Sequence, residues 1–194
     1  LTALPLDLRV ALARAECDLY RNPVTRDTGR AVRGQLESML CDMPGQRLAV
    51  IDFSHVGVLD FSCADEIVAQ LLLRFGAGLP SNAPSPATAI YFMFRGLAEA
   101  HLEALEPVLE RHGLALVAES PDGTTRLVGI VEPDEQFVWQ LVHTSGGGDV
   151  ATIASFADTS AVDLHVHLSA LARRRLVIET AAGFLLFAEH AADV

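Results

Sequence analysis

The sequence predicts an α/β protein in two parts: strands and helices alternate up to Val128, and three short helices with a hairpin follow Val131. Three observations predict it. Short apolar, β-branched runs recur between stretches of helical spacing, as in a sheet with helices on its faces. The segment 78–87, with Pro80, Pro84 and Pro86 among Ser and Asn, reads as an exposed loop that interrupts the alternation without ending it. Beyond Val131 the strands give way to capped amphipathic segments. The organisation expected is a helical lead at 1–18, an α/β domain at 19–128 and a second domain at 131–190.

In chain order, Val32, Leu36, Met39, Leu40 and Met43 recur at helical spacing between a turn-like Arg26-Asp27-Thr28-Gly29 and Pro44-Gly45, which predicts an amphipathic helix. Leu-Ala-Val-Ile-Asp-Phe at 48–53 is the run expected of a strand covered on both faces. Ser62, with Asp65 three residues on, reads as a capping box whose N-cap is Ser62. Behind it Ala64, Ile67, Val68, Leu71, Leu72 and Phe75 form one helix face, closed by Gly76 and Gly78. Residues 89–94 are the next strand, and 97–112 return to helical spacing with Leu102, Leu105 and Leu109 inward; Pro107 must kink this helix or begin another. Short strands at 114–117 and 125–128 form a hairpin across Pro121-Asp122-Gly123.

In the second part, Glu132-Pro133-Asp134-Glu135 supplies the acidic first turn and proline that open a helix, with Phe137, Val138, Leu141 and Val142 as its buried stripe. Gly146-Gly147-Gly148 stops it. Asp149 caps a second helix with Val150, Ile153, Ala154 and Ala157 inward, and Ser160 caps a third with Leu164, Leu168 and Leu171 inward. Two apolar runs at 176–178 and 184–187 around a Gly-containing turn complete a hairpin, giving the three helices and wing of a winged-helix domain.

Composition bounds the function. Half of the 194 residues are apolar, so a core can form without staples. Apolar runs fall short of the roughly 20 residues needed to cross a bilayer, and Asp7, Arg9, Arg14, Glu16 and Asp18 interrupt the first stretch, so a cytoplasmic protein without a membrane role is expected. Cys17, Cys41 and Cys63 are widely spaced and suggest reduced, mostly buried thiols, not a disulfide or zinc framework. All 14 basic residues are Arg, and the net charge of −11 opposes a phosphate backbone unless a local basic face overrides it.

The phrase Leu-Ala-Val-Ile-Asp-Phe-Ser-His-Val-Gly-Val-Leu-Asp-Phe-Ser-Cys-Ala-Asp-Glu-Ile at 48–67 resembles the central strand, loop and helix of STAS domains, the fold of anti-sigma-factor antagonists. It resembles more closely a STAS-like domain whose members carry a strand ending in Asp-Phe, then Val, then Ser-Phe-Ala-Asp-Glu, with Cys63 here in place of Phe. Thr25-Arg26-Asp27-Thr28-Gly29 with Ala31-Val32-Arg33 resembles the helix lead-in of the same family, so the likeness spans 19–128. It implies a surface for a regulatory protein partner, such as an anti-sigma-type kinase, around Asp60, Phe61, Cys63 and Glu66, with Ser62 as the position where a phosphoacceptor would fall. A helix N-terminus favours phosphate there, whereas Asp60, Asp65 and Glu66 crowd it; the alternative is Ser62 as an ordinary cap.

His167-Leu-Ser-Ala-Leu-Ala-Arg-Arg-Arg-Leu-Val177 resembles the His-Leu-x-x-Leu-x-x-x-Gly-Leu-Val of winged-helix regulators of the ArsR and MarR types, with Arg175 in place of the glycine. That resemblance implies a transcriptional regulator, commonly a homodimer, with DNA contacts at Ser160, Asp163, His165, Ser169, Arg173 and Arg174. Charge points the other way, for residues 131–194 hold nine acids against three arginines. A protein-docking or scaffold role without DNA contact is the alternative. His165 and His167, two apart on a helix, face different ways and do not suggest a metal. Asp52, Asp60, Asp65 and Glu66 could hold magnesium but read better as caps and solvated turns, and no nucleotide or hydrolase motif suggests an enzyme or a cofactor.

Overall fold

A computed structural model describes residues 2–7, 11, 25–41, 47–76, 89–120, 122–157 and 159–186. The protein is a mixed α/β fold built on a five-stranded sheet in which strand order follows chain order: β1 (Thr2–Asp7), β2 (Arg47–Asp52), β3 (Ile90–Arg95), β4 (Ala115–Glu119) and β5 (Thr125–Gly129). The first four strands are parallel and β5 returns antiparallel to β4, with Ala115 opposite Gly129 and Glu119 opposite Thr125. The expected helical lead at 1–18 is thus overturned at 2–7, which pair in register with 47–52 as an edge strand; most of the rest of that segment lies outside the described residues.

Strand alternation divides the core in two. Ala49, Ile51, Ile90, Phe92, Phe94, Leu116 and Ala118 face one layer, while Leu48, Val50, Tyr91, Met93, Ala115 and Val117 face the other. Because both faces are covered, the strands read as continuous apolar runs.

The first layer holds α1 (Arg26–Cys41), a composite helix and α4 (Glu99–His112). The composite runs as α2 (Phe61–Ala64), a π-helical stretch (Asp65–Ala69) and α3 (Gln70–Phe75). The turn expected at 26–29 is instead the first turn of α1, because the Thr25 hydroxyl accepts the Thr28 N–H at 3.2 Å and caps it. Helix α4 runs through Pro107 as one element; Glu103, whose carbonyl loses a partner there, is exposed to water. The Pro-rich loop at 78–87 and Pro44-Gly45 lie outside the described residues.

The second layer is made by α5 (Pro133–Ser145), α6 (Val150–Ala154), α7 (Ala161–Arg173) and the hairpin β6 (Ile178–Thr180) and β7 (Gly183–Leu185). Val138, Trp139, Leu141, Ile153, Leu164, Leu168, Leu171, Val177 and Phe184 share one core with the second sheet face. The stripe of α5 differs from expectation by one residue: Trp139 is inside, donating from its indole nitrogen to the Leu176 carbonyl at 3.2 Å, and Phe137 is outside. Gly148 exchanges both backbone hydrogen bonds with Phe184, at 2.9 and 2.8 Å, tying the glycine run to the hairpin. A Cβ on Gly183 would lie 2.0 Å from the Gly148 oxygen, so that crossing requires glycine.

Candidate functional site

The loop after β2 and the helix it leads into are fixed by a chain of polar contacts. Asp60 is the N-cap: its carboxylate accepts the Cys63 N–H at 2.7 Å and the Ser62 hydroxyl at 3.0 Å. Ser62 is therefore not the cap expected from its spacing, and its half-buried hydroxyl is turned toward an anion. Phe61, by contrast, is 40% exposed, and Val58 is 49% exposed.

Two residues assigned from sequence to a partner surface face inward instead. Cys63 is fully buried; burial first, then neighbouring Asp60, pushes its thiol up to about 12, so it stays protonated. Glu66, 5% exposed, points at α1, where Arg26, Arg30 and Arg33 occupy one face at helical spacing. Its oxygens lie 2.9 Å from Arg26 Nη1, 3.6 Å from Arg30 Nη2 and 2.9 Å from Arg33 Nη1. Asp65 takes a second contact from Arg26 at 3.1 Å and one from His112 Nε2 at 2.7 Å. Burial works to raise the Asp65 carboxyl, but the hydrogen bonds from His112 and Arg26 outweigh it and hold it below its usual value. Gly29 permits the approach, since a Cβ there would meet Cys63 Cα and Glu66 Cβ at 3.0 Å. The Thr-Arg-Asp-Thr-Gly and Ser-Cys-Ala-Asp-Glu segments are thus two halves of one packed, charge-neutralised contact.

The neighbouring strand ends are equally occupied. Asp52 accepts from Arg95 Nε at 3.0 Å and from the Ser54 N–H at 2.8 Å. His101, 2% exposed, accepts the Ala98 N–H on Nδ1 at 3.0 Å and packs its ring 5.9 Å from Phe53. Burial holds its imidazole below the usual histidine value. Nε2 meets no partner in good hydrogen-bond geometry among the described residues. No group of three or more His, Cys, Asp or Glu side chains among the described residues is placed to hold a metal ion, and no helix among them is long and apolar enough to cross a membrane.

On α7, Ser160 is the expected cap and accepts the Val162 N–H at 3.3 Å. Asp163 and His165 are exposed, His165 edge-on to Phe184 at 6.2 Å, and Ser169 is half-buried. Of the three arginines that end the helix, only Arg173 extends into solvent. Arg174 is engaged by the Glu135 carboxylate and the Ile130 carbonyl, and Arg175 donates to the Ile90 carbonyl on β3 at 3.2 Å. Arg175 is also the one described non-glycine residue with positive φ, 56°, and Leu176 N–H closes back onto the Leu171 carbonyl at 3.0 Å. It performs the left-handed helix stop that the resembling pattern assigns to glycine. Beside Asp163 and His165 the outward face carries two valines: Val162 is 73% and Val166 58% exposed. No protein-family model and no curated protein matches this chain.

Proposed function

We propose that the chain is a non-enzymatic, cytoplasmic bacterial regulatory protein of STAS-like type that works by docking to proteins. The observation carrying this reading is the exposure of Phe61 and Val58 on either side of Asp60, in front of a helix immobilised by buried ion pairs. An apolar side chain held in water on a rigid base is how a protein surface is kept ready for a partner. Phe61 is the anchor, Asp60 and Ser62 are its polar rim, and an anti-sigma-type serine kinase is the partner class. Phosphate on Ser62 would add charge beside Asp60 and break the Ser62–Asp60 hydrogen bond, weakening the dock.

The C-terminal three helices and hairpin act in this reading as a winged-helix unit that meets protein and not DNA. Its helix α7 offers a phosphate backbone Arg173, while Asp163 and the apolar Val162 and Val166 occupy the outward face. Two measurements test the proposal. Mixed duplex DNA titrated with the full chain across a salt series should give no anisotropy change even at low salt; steeply salt-dependent binding would overturn the second half. A purified anti-sigma-type kinase should bind saturably, with Phe61→Ala losing about tenfold in affinity and keeping the wild-type melting curve. Equal binding by both forms would overturn the first half.

A further inference from the structure

On the second layer, α5 and α7 border a groove of about 380 Å³ whose walls include Phe137, Val138, Leu164 and Val166, with Asp134 and Asp163 on its rim. Phe137 is 47% exposed, and Val162, one turn before Val166, extends the apolar strip along α7. Phe156, three residues before groove-lining Thr159, is also exposed. Phe137, Val162 and Val166 are large apolar groups held in water on helices whose opposite faces are buried, so the pattern is one of a surface kept open and not of a loose core.

Charge decides what fits. Asp134 and Asp163 both border the groove, and among the described residues no Arg lines it. A second copy of this chain would bring the same two acids to a self-complementary contact, on a molecule of net charge −11. Duplex DNA and an anionic membrane are repelled by the same field. An occupant that satisfies both the apolar walls and the acidic rim carries apolar side chains on one side and cations at their flanks. A groove between two helices accepts these from a third helix, as anchors at i, i+3, i+4 and i+7.

We infer that the α5–α7 groove is a docking site for a cationic amphipathic helix of another protein. Phe137, Val162 and Val166 receive its apolar anchors, and Asp134 and Asp163 pair with its arginines or lysines. The inference rests on reading the C-terminal unit as one that meets protein, and it names that partner's chemistry.

The test uses the full chain and a fluorescein-labelled Leu/Arg peptide of about five helical turns, with Leu on one face. Its control is the same composition shuffled so that no face is apolar. The ordered peptide should bind saturably, at least about tenfold tighter than the shuffled one, and shift the amide resonances of Phe137, Val166 and His167 but not of Phe61. Val162→Ser with Val166→Ser should cost about tenfold, and Asp134→Asn with Asp163→Asn should weaken binding and flatten its salt dependence. Equal affinity for the two peptides, unchanged affinity in the valine variant, or no saturable binding overturns the inference. A dimer in sedimentation that Val166→Ser dissociates also overturns it, by assigning the groove to a second copy, yet leaves the protein-contact reading intact. Binding of duplex DNA to the full chain without peptide, with shifts of the Val166 and His167 amide resonances, overturns both.

Discussion

On one face of the sheet the composite helix brings carboxylates inside against α1 and α4, whereas on the other face α5 and α7 leave Phe137, Val162 and Val166 outside. Each departs from the rule that charge stays wet and apolar groups stay dry, but the departures differ in kind. Glu66 and Asp65 are answered where they lie by ion pairs to three arginines and a histidine of the same chain, which offset the cost of their burial. The apolar groups on α7 have no such answer within the described residues. A buried charge with its partners present is part of the scaffold; an exposed apolar strip beside unopposed acids points to another molecule.

The contrast can be broken most forcefully at Glu66. Glu66→Ala strips the counter-charge from Arg26, Arg30 and Arg33; because the first two are about half exposed and can rehydrate, the loss expected in urea denaturation is near the low end for a broken buried pair, about 3 kcal/mol. Gly29→Val forces α1 away from Cys63 and Glu66 and should cost about 2 kcal/mol in the same assay.

A smaller effect is expected from pH. His101 is buried with its titration pushed below the usual value, so the unfolded chain binds this proton more readily than the folded one. Its contribution to stability is complete above about pH 6.5, the unperturbed value, and is lost as pH falls through the lower folded value. His101→Gln, which keeps an acceptor for the Ala98 N–H, should flatten that part of the stability profile measured by urea titration at stepped pH. The smallest effect belongs to the other face: Val162→Ser with Val166→Ser should change stability by no more than about 0.5 kcal/mol, in calorimetry of the free protein. A large loss there would place these valines in the scaffold and remove the contrast.

Much of this architecture is legible in the sequence wherever one physical cause dominates. The apolar runs at 48–53 and 89–94 announce strands covered on both sides, and Asp149 and Ser160 cap the helices they were expected to cap. Legibility fails where neighbours in space outrank neighbours in sequence. Thr2–Asp7 becomes a strand through its pairing with β2, which no local pattern reveals. Asp60 outcompetes Ser62 for the cap because a carboxylate accepts the Cys63 N–H and the Ser62 hydroxyl together. Phe137 and Trp139 fit helical spacing almost equally well, and the indole won the interior by finding the Leu176 carbonyl. Of the candidate site, the place of Asp60 and Phe61 at the head of a capped helix could be read from sequence. The burial of Cys63 and Glu66 could not, although arginines at 26, 30 and 33 facing an acid pair were a signal to be found.

The sharing of one sheet between two layers also governs how the chain can be synthesised. When Gly129 has left the ribosome all five strands exist, yet the side bearing Leu48, Val50, Tyr91, Met93 and Val117 is bare until residues as distant as Phe184 arrive. During that interval the nascent chain displays a broad sticky surface, which makes it a natural client of chaperones. For the same reason a fragment ending at Gly129 should be recovered from expression as aggregate, and gene fusions cut at that point should fail where fusions to the complete chain succeed.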